Sequence, residues 1–270
     1  MGEGAIRVRT GAVIKRRNRK KNHTNVLFKD DQIQSFLAMP FDDGYEISRM
    51  KTLIVGANGK VGTILSGKMW AAHDFSPVAL IRNSVQQTKF TALGVPSVEG
   101  DLEAGIADFL PGMDAVVFTA GSGGHTGPEK TLDVDQNAAV RLIHDCKKKG
   151  VNRFIMVSAI GADPASESPR IQHYLRAKGV ADGALRASGL DYVILAPGTL
   201  LENKGTGRIE AGEKLGHHGY LPREDLADCI IETLRNYNCV GKTIEIVSGG
   251  KIIKDAIAQA VGGAALPPVL

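Results

Sequence analysis

"LIVGANGKVG", residues 53–62, decides the fold of this 270-residue chain. An apolar run stops at Gly56, and Gly59 and Gly62 follow at spacing three. The next residues, "TILSGKMWAA", read as a helix. A buried strand, a glycine turn and a helix thus follow one another without a gap.

Outward from this stretch the alternation continues. Apolar runs predict strands at 52–55, 77–83, 96–101, 114–121, 153–161, 191–198 and 242–250. Helices are expected at 60–72, 102–110, 129–149, 172–189, 223–237 and 252–261, with a polar, helix-compatible segment reaching Leu93. Strands that are apolar throughout are buried on both faces, which implies a parallel sheet between helix layers. The fold class is therefore α/β: a Rossmann-type, doubly wound parallel sheet with a small C-terminal substrate-side region.

Composition excludes several alternatives. Hydrophobic residues at 43% and charged residues at 23% suit an ordinary globular domain rather than a disordered chain. No apolar run approaches the ~18 residues of a membrane span, and the N-terminus has no apolar signal region. The three cysteines, Cys146, Cys229 and Cys239, are far apart and lack metal-ligand spacing. They read as reduced thiols of a cytoplasmic protein with no metal site. The net charge of +4 is confined to residues 1–49, with 10 Lys/Arg against 6 Asp/Glu; the remaining 23 of each sign balance. The folded part therefore offers no bulk attraction for nucleic acid, and no membrane partner is expected.

Residues 1–49 differ in character from the rest. The basic cluster "RVRTGAVIKRRNRKKNH" has no sustained periodicity, and a short helix fits at 32–39. A nucleic-acid or membrane-surface arm, a targeting peptide, a poorly ordered extension and translation from an upstream start codon are the readings of this leader. Met50 stands directly before "KTLIVGANG", where a compact domain of this kind would start. The expected organisation is a leader at 1–49 and one Rossmann domain at 50–270.

The glycines match the physics of a dinucleotide site. One lets the chain turn with positive φ, one lets backbone approach a pyrophosphate, and one lets the helix pack on the sheet. The helix N-terminus then meets the phosphates with unpaired N–H groups. Gly56, Asn58, Gly59, Lys60, Val61 and Gly62 are the candidate cofactor residues of this loop. At the end of the second strand an NAD site calls for a carboxylate to take the ribose hydroxyls. "VALIRNS" supplies Arg82 instead, which suits a 2′-phosphate, and Lys60 adds a second positive charge. NADP(H) is expected over NAD(H). Asp101 and Leu102 follow the third strand, placed to meet the adenine, and Thr119, Ala120 and Gly121 follow the fourth, along the cofactor.

These residues resemble the short-chain dehydrogenases/reductases, in the atypical group whose glycine motif is GxxGxxG. "VGANGKVG", "GDL", "VVFTAGSGGHTG", "RFIMVSAIGA", "HYLRAK", "DYVILAPGTL" and "REDLAD" carry the likeness, which runs from Met50 to about Gly262. Within the group they look like the NmrA-like and epimerase/dehydratase relatives. The resemblance implies that Tyr174 exchanges a proton with a substrate oxygen. It implies that Lys178 lowers the tyrosine pKa and bonds the nicotinamide ribose. Ser158 stands where the family's serine orients the substrate, and Pro197 lies on the cofactor side. Three positions depart from the pattern: Ala159 follows Ser158, Asp135 replaces the family's asparagine, and Ala196 replaces the arginine of "RPG". Long helices in the family often pair, so a homodimer is an expectation.

Residues 199–221, glycine-rich with one strand candidate at 207–212, interrupt the alternation and form the expected substrate lid. His217 and His218 would help roof the pocket, and His125 reads as an exposed loop residue. The foremost functional reading is an NADP(H)-dependent oxidoreductase acting on a small carbonyl-type substrate. A non-catalytic NADP(H) sensor and a nucleotide-sugar epimerase or dehydratase are the alternatives. Nucleic-acid binding rests on the leader alone.

Overall fold

The computed structural model describes residues 49–123 and 127–262, together with the backbone of strands at 5–7, 13–16 and 45–48. The helix expected at 32–39 and His125 lie outside the described residues. The three N-terminal strands, β1 (Ala5–Arg7), β2 (Val13–Arg16) and β3 (Tyr45–Ser48), pair antiparallel in a sheet of their own.

The main sheet is built from β4 (Met50–Val55), β5 (Phe75–Ile81), β6 (Ser97–Glu99), β7 (Ala115–Phe118), β8 (Arg153–Val157), β9 (Asp191–Pro197), β11 (Arg208–Gly212), β13 (Lys242–Ser248) and β14 (Lys251–Ile252). Its order is β14-β11-β13-β9-β8-β7-β4-β5-β6. The pairs from β6 through β13 are all parallel, as doubly buried apolar strands require. Only the β11 and β14 edge runs antiparallel. The winding reverses between β4 and β7, so the crevice for a ligand opens beyond Val55 and Phe118.

Alternate side chains of each strand feed two cores. Met50 and Ile54 of β4, with Ile155 of β8 and Val193 of β9, face helices α1 (Lys60–Ala71), α6 (Arg223–Arg235) and α7 (Ile253–Ala260). Leu53 and Val55, with Phe154 and Ile194, face α4 (Ala139–Lys149) and α5 (Gln172–Ala187). Each such side chain contributes about 1.5–3 kcal/mol on leaving water. Together they fix every strand's register against both layers.

Several elements differ from expectation. The helix expected at 102–110 is a turn and one short 3-10 segment at Ala107–Phe109, because Gly105 takes φ +108 and breaks the chain direction. The long helix expected at 129–149 starts as α3 (Pro128–Thr131) and passes through a π-helical segment, Leu132–Ala138, before α4. The second strand begins at Phe75, paired with Met50, and ends at Ile81, which leaves Arg82 just beyond it. The lid segment holds more than its single expected strand: β10 (Thr199–Leu201) and β12 (Tyr220–Pro222) pair parallel in a separate two-stranded sheet, while the anticipated strand forms β11.

Helix α5 contains two glycines with opposite roles. A Cβ on Gly179 would lie 2.5 Å from the backbone of Asp163 and Pro164, whereas a Cβ on exposed Gly183 would meet nothing within 4 Å. Gly183→Ala is expected to stabilise the protein by about 0.5–1 kcal/mol, and Gly179→Ala to destabilise it by about 1–3 kcal/mol. Urea unfolding of the two variants measures both; equal effects would contradict the packing of α5 on residues 163–164.

Candidate active site

The glycine turn is shaped by close packing on one side and an open amide row on the other. Gly56 takes φ +85, and a Cβ there would lie 2.5 Å from the Ala120 nitrogen. A Cβ on Gly62 would run into the Gly56 carbonyl and lie 2.7 Å from Ala57 Cα. Gly59 is the N-cap of α1 with φ −68, and its Cβ would meet only the Gly56 oxygen, at 3.1 Å. Of the three glycines, Gly59 is the one whose Cβ position is least crowded. Helix α1 has no side-chain cap and no acid in its first turn. Its leading N–H groups are available to an anion, and this cradle fits a pyrophosphate.

Three cations belong to the loop and to the segment that follows β5. Arg82 is exposed, with its backbone N–H donating to Gln86 Oε1 at 2.9 Å. Lys89, in helix α2 (Gln87–Ala92), donates to Asn58 Oδ1 at 2.6 Å. Lys60 pairs with Glu202 from the lid side. Lys89 was not singled out from the sequence; seven residues beyond Arg82, it returns to the loop only because the chain turns through a 3-10 segment at Ser84–Gln86. Asp101 stays local, accepting from the Glu103 N–H at 2.9 Å, and Leu102 packs against the second core.

At the carboxyl ends of β7, β8 and β9 lies a cavity of about 320 Å3. Val61, Thr119, Ala120, Gly121, Asp135, Ser158, Tyr174, Lys178 and Pro197 all line it, so the structure gathers these sequence candidates at one place. The Thr119 hydroxyl donates to the Val55 carbonyl at 3.0 Å, tying the two crevice loops together. Asn137 is exposed, while Asp135, on the π segment, is fully buried.

Lys178 and Asp135 are the centre of this site. Lys178 Nζ lies 3.0 Å from Asp135 Oδ1 and donates to the Val157 carbonyl at 3.2 Å and the Ala120 carbonyl at 3.5 Å. It is thus held by two main-chain carbonyls and by an ion pair with Asp135. Asp135 Oδ2 accepts from the Ser122 N–H at 2.9 Å, so one carboxylate holds both the lysine and the loop after β7. One turn beyond Lys178, Asp182 accepts the Ser158 hydroxyl at 2.7 Å. Asp182 has 2% exposure and its Oδ1 has no hydrogen-bond partner. Sequence reading did not mark Asp182; the i, i+4, i+8 spacing of Tyr174, Lys178 and Asp182 on one helix was the available signal.

Opposing influences act on the tyrosine. The Lys178 ammonium lies 5.8 Å from the Tyr174 ring centre and does pull the phenol down. Burial outweighs it, and with Asp135 and Asp182 adding to the rise, the phenol lies above the usual tyrosine value. Burial would likewise lower Lys178, but Tyr174 and Asp135 carry it above the ordinary lysine value. Ser158 lines the cavity and donates its proton to Asp182.

The segment expected as a lid is anchored from α6. Asp225, fully buried, accepts from the N–H groups of Thr206 and Gly207, and Glu224 accepts from that of Gly205. His218 lines the cavity, and the His217 ring lies 3.4 Å from Glu210.

Burial pushes the Asp182 carboxyl up to about 6 from its ordinary 3.8, against the Ser158 hydrogen bond and the charges of Arg186 and Lys178. Between those values the folded chain holds a proton that the unfolded chain has released. Asp182 alone therefore makes stability fall as pH rises through that window. Asp182→Asn should match the wild type near pH 4 and exceed it above pH 6 by up to about 3 kcal/mol. Chemical unfolding of both proteins across this pH range checks the sign.

A family profile described as NAD(P)H-binding matches residues 56–237. The "uncharacterized sugar epimerase" YhfK of Bacillus subtilis is 37% identical over 214 residues, spanning 78% of this chain and 100% of that protein. A solved structure from Bacillus halodurans, assigned by its name to the NAD-dependent epimerases/dehydratases, superposes with TM-score 0.74 at 37% identity, over 78% of this chain and 99% of that one. The oxidoreductase ylbE of Lactococcus lactis does so with TM-score 0.67 at 30% identity, over 82% and 100%. Among the described residues no helix is long and apolar enough to cross a membrane. With its glycine cradle, parallel sheet and Tyr-x-x-x-Lys helix, the chain belongs to the NAD(P)H-binding family as an atypical short-chain dehydrogenase/reductase with a Rossmann fold.

Proposed function

We propose that the protein is an NADP(H)-dependent oxidoreductase acting on a small carbonyl-type substrate in the cavity beside Tyr174. The observation that carries this reading is the meeting of two features at one crevice. The uncapped α1 N-terminus lies on one flank, and half-buried Tyr174 with Lys178 lines the cavity on the other. Hydride transfer is the chemistry that a bound nicotinamide supplies. The chain's part is to bind and orient. The α1 amides would take the pyrophosphate, and Arg82 with Lys89 the 2′-phosphate. The 119–121 backbone would flank the cofactor, and Tyr174 would exchange a proton with the substrate oxygen. The absence of a carboxylate directly after β5 supports NADP(H) over NAD(H).

The name of the Bacillus subtilis relative favours a second reading, an epimerase or dehydratase on a sugar. The lid at 199–221 is short for enclosing a nucleotide sugar. As an enzyme of this kind the protein would work in the cytoplasm, on a dissolved small molecule.

Calorimetric titration with NADPH and NADH should give clearly tighter NADPH binding. Arg82→Ala should weaken NADPH by about tenfold or more and leave NADH nearly unchanged. Equal losses for both would remove the 2′-phosphate role. In a screen of aldehydes, ketones and quinones, Tyr174→Phe should cut NADPH oxidation at least ~100-fold while NADPH still binds. Full turnover by that variant would take the proton-exchanging role away from Tyr174.

A further inference from the structure

Lys60 is the one charged residue of the glycine turn, 56–62, and it opens helix α1. Its ammonium pairs with the carboxylate of Glu202, 142 residues further along the chain. Both side chains are exposed, at 65% and 67%.

Glu202 belongs to a short strap that is tied down on either side of it. Before it, β10 (Thr199–Leu201) pairs with β12. After it, the Gly205 N–H donates to Glu224 at 2.8 Å. The N–H groups of Thr206 and Gly207 donate to buried Asp225 at 3.0 and 2.8 Å. Glu224 in turn pairs with Lys68 of α1 at 3.3 Å. Residues 202–204 thus span between two fixed points, and the Lys60 pair joins that span to the glycine turn. The same strap carries Thr199 and Leu200, which line the cavity.

We propose that Glu202 is a latch on the dinucleotide cradle: Glu202 and a phosphate at the α1 N-terminus compete for Lys60, and phosphate binding releases the 202–204 span from the glycine turn. This inference rests on the reading of the α1 N-terminus as a pyrophosphate cradle. A pyrophosphate takes the α1 amides and the Lys60 ammonium together, so it gains more there than a single carboxylate does. An exposed ion pair is weak and is screened by salt, which suits a contact that a ligand must displace. The Lys60 hydrogen bond and charge hold the Glu202 carboxyl below the usual glutamate value, so at neutral pH the competitor is an anion. Once freed, Glu202 is repelled by the phosphate that replaced it.

The latch acts on the part of the dinucleotide that NADPH and NADH share. It therefore sets affinity for both, whereas Arg82 is assigned the choice between them. Through the strap it also connects the phosphate end of the crevice to the cavity wall at Leu200.

The test is calorimetric titration of the full chain with NADPH, NADH and inorganic pyrophosphate. Wild type, Glu202→Gln, Lys60→Met and the double variant are compared. Glu202→Gln keeps the shape and removes the charge, and should tighten all three ligands by about threefold to tenfold. Lys60→Met should weaken them. In the Lys60→Met background, Glu202→Gln should gain clearly less than it does alone, because the pair it breaks is already gone. Equal gains in both backgrounds would overturn the latch, since Glu202 would then act only as a repelling charge. Unchanged or weaker binding by Glu202→Gln would overturn it as well. If the wild type binds none of the three ligands, the cradle reading itself falls, and the latch with it. Wild-type binding that Glu202→Gln leaves unchanged refutes the latch alone.

Discussion

Two backbones meet at Gly56 with no space for a side chain between them. The turn after β4 presses against Thr119 and Ala120 after β7, and Gly62 presses back against Gly56 and Ala57. This contact sits at the switch point of the sheet, where β4 and β7 are neighbours but the winding goes opposite ways. Everything at the site is measured from it. It aims the α1 amides at the crevice, sets the loop that Asp135 later grips, and places the cavity wall at Thr119, Ala120 and Gly121. A larger residue at Gly56 would have to take a disfavoured φ and push two strands' loops apart at once.

The second organising feature is the charge cluster under the cavity. Burying a lysine and two aspartates is costly unless each is paired and hydrogen-bonded. The π segment is the structural answer. By widening one helical turn it brings Asp135 to Lys178 while Val134 and Ala138 still pack inward. The need is met only in part: Ser122 and Ser158 satisfy one oxygen of Asp135 and of Asp182 respectively, and the Oδ1 of either carboxylate has no hydrogen-bond partner. Local strain and incomplete satisfaction of this kind concentrate where a fold gives up stability for chemistry.

Much of this was legible from residue order. The apolar runs around Leu53, Val116, Ile155 and Ile194 announced a doubly buried parallel sheet, because each residue had to face one of two helix layers. The glycines at 56, 59 and 62 announced the turn, and Tyr174 and Lys178 their common helix face. Strand limits were less legible: the second strand starts two residues earlier than its apolar run, since Phe75 and Ser76 are drawn in by pairing with Met50 and Lys51. Gly105 ended a helix that composition alone allowed.

The sequence by itself determined the class of fold, the position of the glycine turn and the common helix face of Tyr174 and Lys178, because hydrophobic period and glycine spacing are local properties of the chain. Only the tertiary structure decided how the cavity's charges are shared. Lys178 and Asp135 are 43 residues apart, and Ser158 and Asp182 are 24 apart. Whether a lysine activates a tyrosine or is neutralised by a carboxylate depends on distances of about 3 Å between side chains from different elements, and on how deeply water is excluded there. Neither quantity is written in the spacing of residues along one helix.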